Sequence, residues 1–110
     1  MNIQIFGKPK CFDTKKAERY FKERRIKYQY IDLKRYGISK GELNSVLQKH
    51  PLEELLDPKH PDLALVQYLA GLDAKLEKVL ADPTLLRTPI VRNGKLSTVG
   101  HAPEVWKAWE

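Results

Sequence analysis

Cysteine occurs once in these 110 residues, at Cys11. A single thiol excludes an internal disulfide framework, and it excludes a zinc site built from several thiolates. The only histidines are His50, His60 and His101, and no His-x-x-x-His spacing occurs, so no metal site is expected. There is no Gly-rich phosphate loop and no Ser/His/Asp pattern. No apolar run approaches the ~20 residues that a helix needs to cross a bilayer, and no membrane association is expected. The segment MNIQIFGKPKCF lacks the long apolar core and small-residue cleavage site of an export signal. A reducing cytoplasm is therefore the expected location.

What is present is globular in character. Residues are 42% hydrophobic and 31% charged, enough apolar side chain to offset the ordering entropy that keeps a polar chain unfolded. At ~100–200 residues per domain, the length predicts one domain over 1–110. The formal charge is +6, unevenly placed: residues 1–50 hold 13 basic and 5 acidic side chains, and residues 51–110 hold 7 and 9. The basic half is either a solvated face or a surface that attracts acidic proteins and other anions. Tyr20, Phe21, Tyr28 and Tyr30 interleave with Lys and Arg, but they read as the core and edge of a β-α-β unit, and no direct nucleic-acid binding is expected.

The apolar pattern supplies the element order. Ile3 and Ile5 alternate with polar neighbours and predict a strand ended by Gly7. Asp13 to about Arg25 predicts a helix with Ala17, Tyr20 and Phe21 on its inner face and Lys15, Arg19 and Lys22 as a basic stripe. Tyr28, Tyr30, Ile31 and Leu33 predict a second strand, and the crossover helix between the two implies a parallel pair. Ser39 and Glu42 form a capping-box pattern ahead of a helix carrying Leu43, Val46 and Leu47. Leu52–Leu56 suggests one helical turn. Pro61 suits the first position of a helix running to Gly71, and Asp73 suits the cap of another with Leu76, Val79 and Leu80 inside. Ile90-Val91-Arg92, the turn signal Asn93-Gly94 and Leu96–Val99 predict a hairpin. Pro103 opens a last helix with Val105 and Trp109 on one face and Trp106 beside them. The order β-α-β, a helical insert at about 39–82, then β-β-α predicts a thioredoxin-like α/β fold with a four-stranded mixed sheet and helices on both faces.

Cys11 falls between a strand and a helix. Free backbone N–H groups and the positive end of the helix dipole favour an anion there, and Lys8, Lys10 and Lys15 add positive charge in sequence; together these favour the nucleophilic thiolate. The alternative is a small, buried, inert cysteine. Thr88-Pro89 precedes the third strand, and Pro89 is either a mark of a strand edge or a cis-proline that brings backbone against the cysteine.

Gly7-Lys8-Pro9-Lys10-Cys11 followed by Thr14-Lys15-Lys16-Ala17, the run Asp82-Pro83-Thr84-Leu85-Leu86-Arg87-Thr88-Pro89-Ile90-Val91, and Val99-Gly100-His101 with Pro103-Glu104 together resemble the arsenate reductase (ArsC)-like family, which includes the Spx transcription regulators. The resemblance covers nearly the whole chain, including the helical insert that glutaredoxins lack. It implies a thiol chemistry linked to glutathione or to a glutaredoxin or thioredoxin partner, with no bound cofactor. Cys11 matches the nucleophile; Lys8, Thr14, Lys15, Arg87, Thr88 and Pro89 match the surroundings that hold substrate or thiol. Lys15 stands where the reductases place an arginine. The resemblance also exposes departures. Thr88 replaces the arginine before the cis-proline, His101 replaces the one at the closing turn, and Asp57 falls where the insert supplies another. Arginine forks bind tetrahedral oxyanions in bidentate fashion, so their loss predicts poor arsenate reduction. Thr14 also replaces the second cysteine of the Spx-type pair. The expectation is a monomeric, monothiol oxidoreductase using glutathione or a similar thiol. The alternative is an Spx-like regulator that docks on RNA polymerase or another acidic partner.

Overall fold

The computed structural model describes residues 1–110. Four strands, β1 (Ile3–Gly7), β2 (Tyr28–Asp32), β3 (Ile90–Asn93) and β4 (Leu96–Val99), form one sheet in the order β2-β1-β3-β4. β1 runs parallel to β2 and antiparallel to β3, and β3 pairs antiparallel with β4. The mixed sheet is the predicted thioredoxin-like arrangement. The parallel pair is joined by α1 (Phe12–Glu23). Between β2 and β3 lie α2 (Leu33–Tyr36), α3 (Lys40–Leu47), α4 (Leu52–Leu55), α5 (Leu63–Tyr68), α6 (Leu72–Ala81) and a 3₁₀ turn at Pro83–Leu85. α7 (Pro103–Ala108) follows β4. No helix is long and apolar enough to cross a membrane.

Alternation along the strands divides the core into two layers. On one face Ile3, Ile5 and Val91 pack with Ala17, Tyr20 and Phe21 of α1 and with Trp106 of α7. On the other, Phe6 and Ile90 meet Leu43, Val46, Leu52, Leu55, Val66 and Val79 from the insert. The insert is thus the cover of one sheet face, and its apolar residues are what hold it there.

Local differences from the sequence reading have identifiable causes. Leu33 opens α2 instead of closing β2, because the Asp32 carboxylate accepts from the Lys34 N–H at 3.0 Å and caps a new helix. Asp73 lies in the first turn of α6, whose cap is Gly71 at φ 84°. α5 is capped by Asp62, so Pro61 precedes it instead of opening it. Asn93 pairs with Leu96, so the hairpin loop is Gly94-Lys95, not Asn93-Gly94. In α7 the inward residue is Trp106, while Val105 is exposed and Trp109 only partly buried. The Ser39/Glu42 capping box is formed in both directions, at 3.1 and 2.9 Å.

Candidate active site

β1 ends at Gly7, residues 8–10 turn, and Cys11 stands at the N-cap of α1 in extended backbone conformation. The approach is tight. A Cβ on Gly7 would come within 2.3 Å of Thr14 Cγ2 and 3.0 Å of the Tyr30 ring, so only glycine lets the strand end lie against the first turn of α1. Thr14 is buried there, and its Oγ1 accepts from the Lys8 N–H at 3.4 Å.

The Cys11 sulfur is partly exposed. Its thiol donates to the Thr88 carbonyl at 3.6 Å, and the Thr88-Pro89 bond is cis. Burial by itself would push the Cys11 thiol up. The Thr14 and Thr88 side chains and the N–H groups of Thr14 and Asp13 outweigh it, and the pKa falls below the ordinary thiol value. A carbonyl can only accept, so its bond suits the thiol; the donors that remain for the thiolate are the hydroxyls and amides.

The lysines have other roles than the sequence reading assigned them. Lys8 Nζ is bound to an Asp57 carboxylate oxygen at 2.8 Å. Lys15 is exposed and lies 5.9 Å from the Phe12 ring centroid, outside the groove. Lys10 is exposed on the rim. The lowering of the thiol pKa traces to hydroxyls and amides, and none of the three lysines is among its causes.

Around the sulfur opens a groove of about 650 Å³ lined by Lys8, Lys10, Cys11, Asp57, Arg87 and Thr88, with Phe12, Asp13, Pro58 and Lys59 completing it. Of the residues singled out in the sequence, Lys8, Lys10, Cys11, Asp57, Arg87 and Thr88 line this groove. Thr14 lies beneath the sulfur, Pro89 is buried behind Thr88, and Lys15 is outside. Arg92 is elsewhere, bonded to Gln4 and 3.8 Å from Glu42. His101 meets the edge of Trp106 and is not part of the groove. Phe12, Pro58 and Lys59 went unrecognised. Phe12 adjoins Cys11 in the chain, which is the one signal the sequence offers for it; Pro58 and Lys59 arrive only through the folding of the insert.

The insert reaches the groove through a single antiparallel bridge between Leu56 and Leu86. Asp57 N–H donates to the Leu85 carbonyl at 2.8 Å, and Arg87 N–H to the Leu55 carbonyl at 2.7 Å. Asp57 is fixed further by the Lys59 N–H on its Oδ1 at 2.9 Å. Burial raises the Asp57 pKa, but Lys8, the Lys59 amide and the nearby His60 outweigh that and hold it below the usual carboxylate value. A depressed folded-state pKa contributes stability that is present above the unfolded value and lost as pH falls through the folded one. Stability is therefore expected to decline on acidification below about pH 4, less so in Asp57→Asn. Urea titrations of both proteins across that range check this. No group of three or more His, Cys, Asp or Glu side chains is placed to hold a metal ion.

Fold and groove together define a thioredoxin-fold protein with one partly exposed thiol at a helix N-terminus. The nearer relationship is to ArsC-like proteins. An arsenate reductase (ArsC) related protein from Brucella melitensis superposes with a TM-score of 0.69 at 25% identity, over 99% of this chain and 94% of that one. The arsenate reductase from Vibrio cholerae gives 0.82 at 22% identity, over 96% and 94%. NrdH-redoxin, a glutaredoxin-like protein from Escherichia coli with a thioredoxin-like activity profile, gives 0.53 at 16%, over 100% and 96%. No family model matches the sequence, and no curated protein does. The chain has the ArsC-like fold that its sequence blocks resemble, the fold of a thiol oxidoreductase family.

Proposed function

We propose that the protein is a monothiol oxidoreductase in which Cys11 exchanges with glutathione or another low-molecular-weight thiol, a glutaredoxin or thioredoxin serving as the protein partner, in the cytoplasm. The carrying observation is the placement of the Cys11 sulfur: partly exposed, at the start of α1, beside donors that favour its anion, in an open groove. The thiolate attacks one sulfur of a disulfide, a new S–S bond forms, and the other sulfur leaves as a thiolate that takes its proton from water. A second small thiol then attacks the mixed disulfide and returns Cys11 to its reduced form, because the chain holds no second cysteine to do so. Thr88, with its carbonyl turned to the sulfur, offers backbone for an extended thiol ligand to pair with. Exposed Arg87 suits a ligand carboxylate.

Alkylation of the single thiol by iodoacetamide tests this directly. The pH midpoint is expected below the free-thiol value of ~8.5, with a glutathione adduct visible by intact mass. A midpoint at or above that value would sink the catalytic reading. Arsenate turnover with glutathione and glutaredoxin supplied is expected to be weak or absent, because Thr88 and Asp57 offer no guanidinium to an oxyanion.

A second reading, a regulator docking on RNA polymerase or another acidic partner, draws on one feature. Lys15, Arg19 and Lys22 are exposed along α1 and make no ion pair. Capture of polymerase subunits, abolished by reversing those three charges and unaffected by Cys11→Ser, would favour it.

A further inference from the structure

The groove holds its charges in an unusual order. Its deepest cation, the Lys8 ammonium, is neutralised by Asp57 at 2.8 Å, and the two side chains are only 22% and 25% exposed. Asp57 cannot readily leave. Its own N–H donates to Leu85, its Oδ1 accepts from Lys59, and its carbonyl accepts from the His60 N–H at 3.2 Å. The cations without a carboxylate partner, Lys10, Lys59 and Arg87, are all exposed on the walls.

We infer that the Lys8–Asp57 ion pair is the specificity determinant of this groove, closing it to small tetrahedral oxyanions and leaving it open to organic disulfides. This rests on the thiol-exchange reading above. An oxyanion dianion brought to the sulfur meets a thiolate and a fixed carboxylate, and the ammonium that would have received it is already paired. An organic disulfide presents two uncharged sulfur atoms to Cys11. Its carboxylates, several bonds away, reach outward to Lys10, Lys59 or Arg87. The exchange keeps its balance with the disulfide as the only oxidant: Cys11 gains an S–S bond, the disulfide loses one, and the departing thiolate carries the electron pair. Asp57 acts here through Lys8, as a positioning residue, and touches neither reacting sulfur.

The single cysteine makes the test clean, because alkylation of the whole protein reports Cys11 alone. Iodoacetamide is neutral and iodoacetate is an anion, and both are attacked by the same thiolate. Their rate ratio, measured above the thiol midpoint, cancels any change in thiolate fraction and reads the charge of the groove. In Asp57→Asn the iodoacetate-to-iodoacetamide ratio is expected to rise about three- to tenfold, since Lys8 is freed in the groove that holds the sulfur. Inorganic phosphate is expected to leave wild type unprotected and to slow alkylation of this variant. In Lys8→Gln, where Asp57 stands bare, the ratio is expected to fall. Glu77→Gln, on α6 away from the groove, should change it little. Unchanged ratios in folded Asp57→Asn and Lys8→Gln overturn the inference, as does a rise in Glu77→Gln equal to that in Asp57→Asn. If Asp57→Asn does not fold, the fall in Lys8→Gln decides. A normal thiol midpoint in wild type would instead overturn the thiol-exchange reading, and the ratios would still report the ion pair.

Discussion

Gly7→Ala is expected to raise the Cys11 thiol pKa and to cost about 1–3 kcal/mol of stability, the range for forcing an extra methyl group into a filled site. The new Cβ would lie 2.3 Å from Thr14 Cγ2 and 2.8 Å from Thr14 Oγ1. Thr14 is a buried, β-branched residue in the first turn of α1, so its χ1 is restricted and the packing around it leaves little room to swing clear. The strand end and the helix start must separate. That moves the hydroxyl and the amides which offset the burial of the sulfur. Urea denaturation and the iodoacetamide midpoint measure the two effects. Gly41→Ala is the control: nothing lies within 4 Å of a Cβ there, and the residue is already in α3, so the change should be neutral or slightly stabilising. A folded Gly7→Ala protein with an unchanged thiol midpoint would show that Thr14 does not support the thiolate.

Trp106→Ala is expected to lower stability by about 3–5 kcal/mol. The indole is fully buried, meets Tyr20 and Phe21 with ring centroids 5.2 and 5.4 Å away, and donates from Nε1 to Thr98 Oγ1 at 2.8 Å. Its removal leaves a cavity between α1, α7 and the sheet, and it leaves the buried Thr98 hydroxyl without its donor. Chemical denaturation should show a lower midpoint at an unchanged slope. Trp109→Ala, at a partly buried position, should cost distinctly less. A loss below about 1 kcal/mol for Trp106→Ala would mean that α7 is not packed as described.

Much of this architecture is legible from period and punctuation. Ile3 and Ile5 mark β1, the Ser39/Glu42 pair marks the start of α3, and the run from strand to helix places Cys11 at the mouth of α1. What escapes is whatever depends on a partner far along the chain. The choice between Val105 and Trp106 as the inward residue of α7 is made by Thr98 and Tyr20, and six residues of helix offer too few turns for period alone to decide. Lys8 looks like a free cation until the insert folds and delivers Asp57, a residue 49 positions away. Lys15 is placed by the helix rotation, which turns it toward solvent and Phe12. The sulfur's donors are legible in part: an N-cap position promises amides, whereas the two threonine side chains need the closed fold.

The Leu56–Leu86 bridge has a mechanical meaning. Asp57 and Arg87, both lining the groove, are each one residue beyond a bridged leucine, and both of their amides are engaged in that same pairing. The spacing of these two segments is thus set by peptide geometry and not by the reach of side chains. A ligand that grips Arg87 pulls through two backbone hydrogen bonds on the segment that carries Asp57. This side of the groove behaves as a fixed-gap gauge: the side chains of Asp57 and Arg87 can be exchanged to alter what it accepts, while the spacing of their backbones stays that of a two-stranded ribbon.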